Sequence, residues 1–168
     1  MTLTSDRLVP LAIFAVCALS LAAAFTLEHV FGVMPCILCL WQRVPYAVAG
    51  ALAAVALVPG MPAEARRWLV ALCGVAFLVN LGIASYHVGV EQHWWAGTAQ
   101  CVAPAGAAPQ TLAELQAALE NPPTLARCDE VGWSLFGISL PGYNVAFSLL
   151  LGAGCLLAAA RSELWRRR

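Results

Sequence analysis

The chain has 168 residues, 61% of them hydrophobic and 11% charged, where a soluble domain carries about 25% charged residues. Nine arginines balance nine acidic residues, lysine is absent, and no basic cluster is interleaved with aromatics as a nucleic-acid groove requires. Composition therefore excludes an ordinary soluble fold and a nucleic-acid partner, and points to a bilayer, which about 20 consecutive apolar residues can cross.

The first uncharged run, Leu8 to Leu27, follows Arg7 and is long enough to span. Ala22, Ala23 and Ala24 resemble a signal cleavage site, but an h-region has only about 7 to 15 residues, so the run reads as a retained helix. The second runs from Leu40 or Val44 to Val58, with Gln42 and Arg43 at its mouth, the third from Trp68 to Val88, and the fourth from Tyr143 to Ala160. Each satisfies its own backbone hydrogen bonds as a helix, which an open strand in lipid cannot. The expected fold is an all-α membrane protein, a four-transmembrane-helix bundle in one domain over 1–168. Its helices lie near 8–27, 40–58, 68–88 and 143–160, and its outer loops near 28–39 and 89–142.

Arginine placement sets the expected orientation, because short basic loops stay in the cytoplasm. Arg7, Arg66, Arg67, Arg161, Arg166, Arg167 and Arg168 share one side, whereas the long loop carries Glu91, Glu114, Glu120, Asp129 and Glu130 against Arg127 alone. The acidic face reads as periplasmic, with both termini cytoplasmic. Within that loop, Thr111 to Glu114 forms a T-x-x-E capping box, and Leu112, Leu115 and Leu119 share one face of a short amphipathic helix. Such a helix suits the membrane surface or an ordinary loop.

The seven cysteines sort by depth. Cys17, Cys73 and Cys155 fall near helix middles, where thiols act as small hydrophobes. Cys36, Cys39, Cys101 and Cys128 lie on the acidic side, an even number facing an oxidising compartment. Cys36-Ile37-Leu38-Cys39 is a C-x-x-C, which makes and breaks a disulfide within one turn, and Cys101 and Cys128 remain for each other. The C-x-x-C opens the second helix, whose N-terminus stabilises a thiolate. Arg43 follows Cys39 by one turn and either snorkels to the headgroups or stabilises negative charge developing on an electron acceptor. His87 and Glu91, four residues apart at the outer end of the third helix, could handle protons. His29 and His93 read as interfacial, and Trp94 with Trp95 as an aromatic belt.

Met34 to Arg43 (M-P-C-I-L-C-L-W-Q-R) resembles the P-C-x-L-C-x-x-Q/E-R signature of the DsbB family of disulfide-bond formation membrane proteins. The resemblance continues through Tyr86, His87, Glu91, Trp94 and Trp95 ahead of Cys101, and through Trp133 to Pro141 after Cys128. It implies a protein-disulfide:quinone oxidoreductase of the bacterial inner membrane that reoxidises the periplasmic thiol oxidase DsbA. By position, Cys101 accepts attack from the partner's thiolate, Cys128 exchanges with Cys36, and Cys39 engages ubiquinone or menaquinone beside Arg43. Gln42, His87 and Glu91 are further candidate quinone contacts. Thiol exchange alone would run uphill against so strong an oxidant as DsbA, so a quinone sink is implied. Two alternatives are a zinc site made by the four outer cysteines, against which the lack of a second C-x-x-C argues, and a vitamin-K-epoxide-reductase-like quinone/thiol enzyme.

Overall fold

The computed structural model describes residues 5–98, 101, 111–113, 116 and 125–165. Four helices are long and apolar enough to cross a membrane: α1 (Ser5–His29), α2 (Ile37–Ala56), α3 (Ala63–Glu91) and α4 (Leu140–Ala160). A 3-10 turn, Ser162–Trp165, follows α4. The expected four-helix architecture is therefore present.

The helices reach past their uncharged cores because the polar residues at their ends find partners. The 29-residue α3, roughly 43 Å at ~1.5 Å per residue, carries Arg66 and Arg67 at one end and Glu91 at the other. Arg66 is 2% exposed; it pairs with Asp6 of α1 and donates through Nε to the carbonyl of Ala56, the last residue of α2, at 2.9 Å. Arg67 Nε donates to Ala159 O near the end of α4 at 2.7 Å. Two arginines of one helix thus cap the carbonyl ends of two neighbours, where a cation also suits the helix dipole.

Helix α3 packs against both α2 and α4, and α1 lies mainly on α2. Ala49, Ala53, Val70, Cys73 and Phe77 are fully enclosed between them. Small residues set the approach of α3 to α4: a Cβ on Gly74 would lie 3.0 Å from Leu156, and one on Gly152 would lie 3.0 Å from Leu78. Without a hydrophobic drive between helices in lipid, close packing of this kind holds a membrane bundle together. Cys17, Cys73 and Cys155 join this core, as their depth led one to expect. Large apolar side chains such as Leu19, Val79 and Leu150 face outward, the arrangement a lipid solvent demands.

Among the described residues, the departure from an all-helical chain is a two-stranded hairpin, β1 (Ser134–Leu135) with β2 (Ile138–Ser139), antiparallel. Its loop residues Phe136 and Gly137 both take positive φ, 51° and 79°, as a type I′ turn requires. The hairpin runs into α4 through Ser139, whose Oγ accepts from Gly142 N at 3.3 Å as an N-cap. Leu112, Ala113 and Gln116 of the expected amphipathic helix are helical. Glu114, Leu115, Leu119 and Glu120 lie outside the described residues, as do Arg166, Arg167 and Arg168 at the C-terminus.

Candidate functional site

Helix α2 begins three residues earlier than the charge pattern suggests because Cys36 is its N-cap. The Cys36 sulfur accepts from Cys39 N at 3.3 Å, filling one of the donors a helix start leaves unpaired. The C-x-x-C therefore straddles the first turn, with Cys36 Sγ donating to Cys39 Sγ at 3.1 Å. All seven cysteines are free thiols.

The far cysteines come to this turn through the segment around residue 126. Ala126 N donates to Pro35 O at 3.1 Å, Ala126 bridges Cys36 in parallel, and Cys128 N donates to Cys101 O at 3.0 Å. Cys36, Cys101 and Cys128 are consequently buried in one cluster with Val90 of α3. The Cys128 sulfur has hydrogen-bonding contacts with both Cys101 and Cys36, and with the backbone of Leu38 in the first turn of α2. Burial, followed by the Cys101 contact, pushes the Cys128 thiol up to about 11. The Cys36 thiol is also raised, first by donating its proton to Cys39 and then by burial.

His87 completes the group from α3, with Nε2 3.4 Å from Cys36 Sγ. Ligand atoms of Cys36, His87 and Cys128 lie within 4.8 Å of one another, so the set that converges is two sulfurs and an imidazole, not the four sulfurs of the zinc alternative. Beneath it, Gln42 Nε2 meets His87 Nδ1 at 2.9 Å and Gln42 Oε1 accepts from Asn144 Nδ2 at 2.5 Å. Tyr46, Asn80 and Ser148 continue the chain from Asn144 into the bundle. Glu91, 6% exposed, accepts from Ser139 Oγ at 2.5 Å.

A pocket of about 390 Å³ opens beside the first turn of α2, within the range of small-molecule sites. Cys36, Cys39, Gln42, Arg43, His87 and Glu91 supply its polar side, and Leu27, Val33, Phe147 and Leu150 are among its apolar walls. Arg43 does not simply reach for water: its Nη1 lies 2.6 Å from Glu28 Oε2 of α1, and its guanidinium sits 4.8 Å from the centre of the Phe25 ring. The eight residues singled out from sequence thus divide in space. Six line this pocket, while Cys101 and Cys128 approach Cys36 from the loop side.

The family model "Disulfide bond formation protein DsbB" matches residues 6–158. The chain belongs to the DsbB family. Among its relatives, disulfide bond formation protein B of Marinobacter nauticus is 34% identical over 89% of each chain, and that of Acinetobacter baumannii is 32% identical over 90% of each. The protein of the same name from Stutzerimonas stutzeri is 29% identical over 97% of this chain and all of its own. No solved structure matches. Sequence reasoning for this DsbB family member missed Glu28, Tyr46, Asn80, Asn144 and Ser148. The available signal was their polarity inside or beside apolar spans, since polar side chains in a bilayer are costly without partners.

His29 and His93 are both exposed, in keeping with an interfacial reading. Trp95 is more than a belt residue. Its indole stacks on Tyr86 at 6.0 Å, donates to Tyr86 O at 3.0 Å, and covers Gly89 so closely that a Cβ there would fall 1.9 Å from the ring.

Proposed function

We propose that this member of the disulfide bond formation family is an inner-membrane protein-disulfide:quinone oxidoreductase that reoxidises a DsbA-like periplasmic thiol oxidase. The observation that carries the reading is the continuous run of sulfur contacts, Cys101 to Cys128 to Cys36 to Cys39, ending at a pocket with a fixed cation. The seven arginines that the sequence places before α1, between α2 and α3 and after α4 support a periplasmic location for these sulfurs.

In this reading the partner's thiolate attacks Cys101 of a Cys101–Cys128 disulfide, Cys128 leaves as a thiolate, and the partner's second thiolate then releases Cys101. The Cys128 thiolate attacks Cys36 of a Cys36–Cys39 disulfide, and the bonding pair of the broken S–S bond goes to Cys39. Cys101 next attacks Cys128, reforming the loop disulfide and releasing Cys36. Two electrons then reside in the Cys36 and Cys39 dithiol.

A ubiquinone or menaquinone bound in the pocket supplies an acceptor for two electrons and two protons. The residues present fit such a group: apolar walls suit its ring and tail, and the polar side bears the Cys39 sulfur. Arg43 provides a permanent cation for negative charge on a carbonyl oxygen, and Gln42 and Glu91 provide hydrogen-bonding groups within the same pocket, which His87 also lines.

The test is anaerobic mixing of the purified full chain with reduced DsbA and a short-chain quinone, following quinone absorbance. One quinone reduced per disulfide formed in DsbA is expected. Disulfide formation with no change in quinone absorbance would replace the acceptor, and no reaction at all would reject the activity.

A further inference from the structure

The polar side chains beneath the cysteines form a hydrogen-bond chain whose direction can be read one group at a time. Asn144 Oδ1 is the meeting point of three donors: the Tyr46 hydroxyl at 2.8 Å, Asn80 Nδ2 at 3.1 Å and the Ser148 hydroxyl at 3.2 Å. With its oxygen so engaged, Asn144 turns its NH2 to Gln42 and donates to Oε1 at 2.5 Å. Gln42 then presents Nε2 to His87 Nδ1 at 2.9 Å. An amide NH2 offers hydrogens and no lone pair, so the imidazole nitrogen opposite must be the bare, accepting one. The ring proton of neutral His87 is left on Nε2, the atom 3.4 Å from Cys36 Sγ. The Cys128 carbonyl is a second acceptor within reach of the ring N–H.

We propose that Asn144 is a positioning residue which, through Gln42, holds His87 in the tautomer that aims an Nε2–H donor at the Cys36 sulfur.

The consequence for catalysis rests on the exchange reading above. When Cys101 displaces Cys36 from Cys128, Cys36 departs as a thiolate in a buried site. A donor already aimed at that sulfur stabilises the developing charge without reorganisation. The opposite tautomer would turn a lone pair on the same sulfur and oppose its departure. No single side-chain rotation reaches that state. Turning the Asn144 amide would set its NH2 against the NH2 of Asn80, so Asn144, Asn80 and Gln42 must all turn together.

The chain has three histidines, so the His29→Gln/His93→Gln variant leaves His87 as the sole one. Full-length protein labelled with 15N-histidine, reduced and quinone-free in detergent, allows the protonated ring nitrogen to be identified by long-range proton–nitrogen correlation. A proton on Nε2 with Nδ1 bare is expected, and a proton on Nδ1 overturns the proposal before any change is made to the network. In the same background, Asn144→Leu removes the donor at similar size and should yield mixed tautomers, whereas Ser148→Ala, which touches Asn144 but not Gln42, should leave the tautomer intact. A folded Asn144→Leu protein that keeps Nε2–H alone would remove Asn144 from the role.

In single-turnover oxidation of reduced DsbA, Asn144→Leu should slow thiol exchange about tenfold, the worth of a hydrogen bond to a charged group. If wild type shows the expected tautomer but reduces no quinone, the proposed acceptor fails and the tautomer assignment stands.

Discussion

Arg43→Ala separates a quinone-binding role from a merely structural one. The guanidinium is 17% exposed, 2.6 Å from Glu28 and lodged over Phe25, so it enters the pocket already oriented and loses little freedom on meeting a ligand. A hydrogen bond from such a cation contributes about 1.5–3 kcal/mol. The neighbouring carboxylate offsets part of its charge, which places the expected loss near the lower figure, about tenfold in quinone KM. The assay is initial quinone reduction at varied short-chain quinone with saturating reduced DsbA, repeated with the two concentrations exchanged. The KM for DsbA should move by less than about twofold, because the loop cysteines approach from the other side of Cys36. Arg43→Lys should fall between, since the charge remains but the planar fork is lost. An unchanged quinone KM in Arg43→Ala, or an equal shift in both constants, would assign Arg43 to holding α1 against α2 and nothing more.

Cys39→Ser should abolish quinone reduction, while Cys17→Ser, Cys73→Ser and Cys155→Ser stay near wild type in the same assay; the reverse ranking would reject the sorting of cysteines by depth. With its thiol pushed up to about 11, Cys128 should add ultraviolet thiolate absorbance only as pH approaches that value, read as the difference between the reduced protein and Cys128→Ser, and a difference already complete by pH 9 would refute it. Because the fold keeps this thiol neutral, its contribution to stability is full below the ordinary thiol range and is lost as pH rises toward 11. Arg66→Met removes the guanidinium that pairs with Asp6 and donates to Ala56 O, so thermal unfolding in detergent should show a loss of about 1.5–3 kcal/mol, that of a hydrogen bond to a charged group, and a loss below about 1 kcal/mol would mean the pair behaves as an exposed one.

Four helices were legible because the charges are few and fall between the spans, and hydropathy needs no partner to be read. The cysteines were legible for the same reason: depth alone separates Cys17, Cys73 and Cys155, each 4% exposed or less within the bundle, from the four at the acidic end. Residues whose role exists only across helices were not legible. Arg66 and Arg67 count as topology charges until Ala56 and Ala159 are seen to end where their guanidinia lie. Glu28 looks like a loop acid until α1 delivers it to Arg43. Asn144 and Ser148, one turn apart in α4, look like tolerated polar residues until Gln42 and Asn80 arrive from α2 and α3 to meet them. Helix ends were misplaced for a related reason, since a charged residue stops an apolar run in sequence but continues a helix once its charge is paired.

The same cross-helix residues explain how sulfurs so far apart in sequence meet within reach of one another. Gln42, His87 and Asn144 belong to three different helices, and in a bilayer each has no water to turn to, so a one-turn slip of any helix would strand at least two polar groups at once. That penalty fixes the register of α2, α3 and α4 directly below Cys36. Above it, backbone pairing does the corresponding work: the Ala126 bond to Pro35 and the bridge to Cys36 bring Cys128 to the N-terminus of α2. Cys36 is thereby held between a polar floor built from three helices and the backbone segment that carries Cys128.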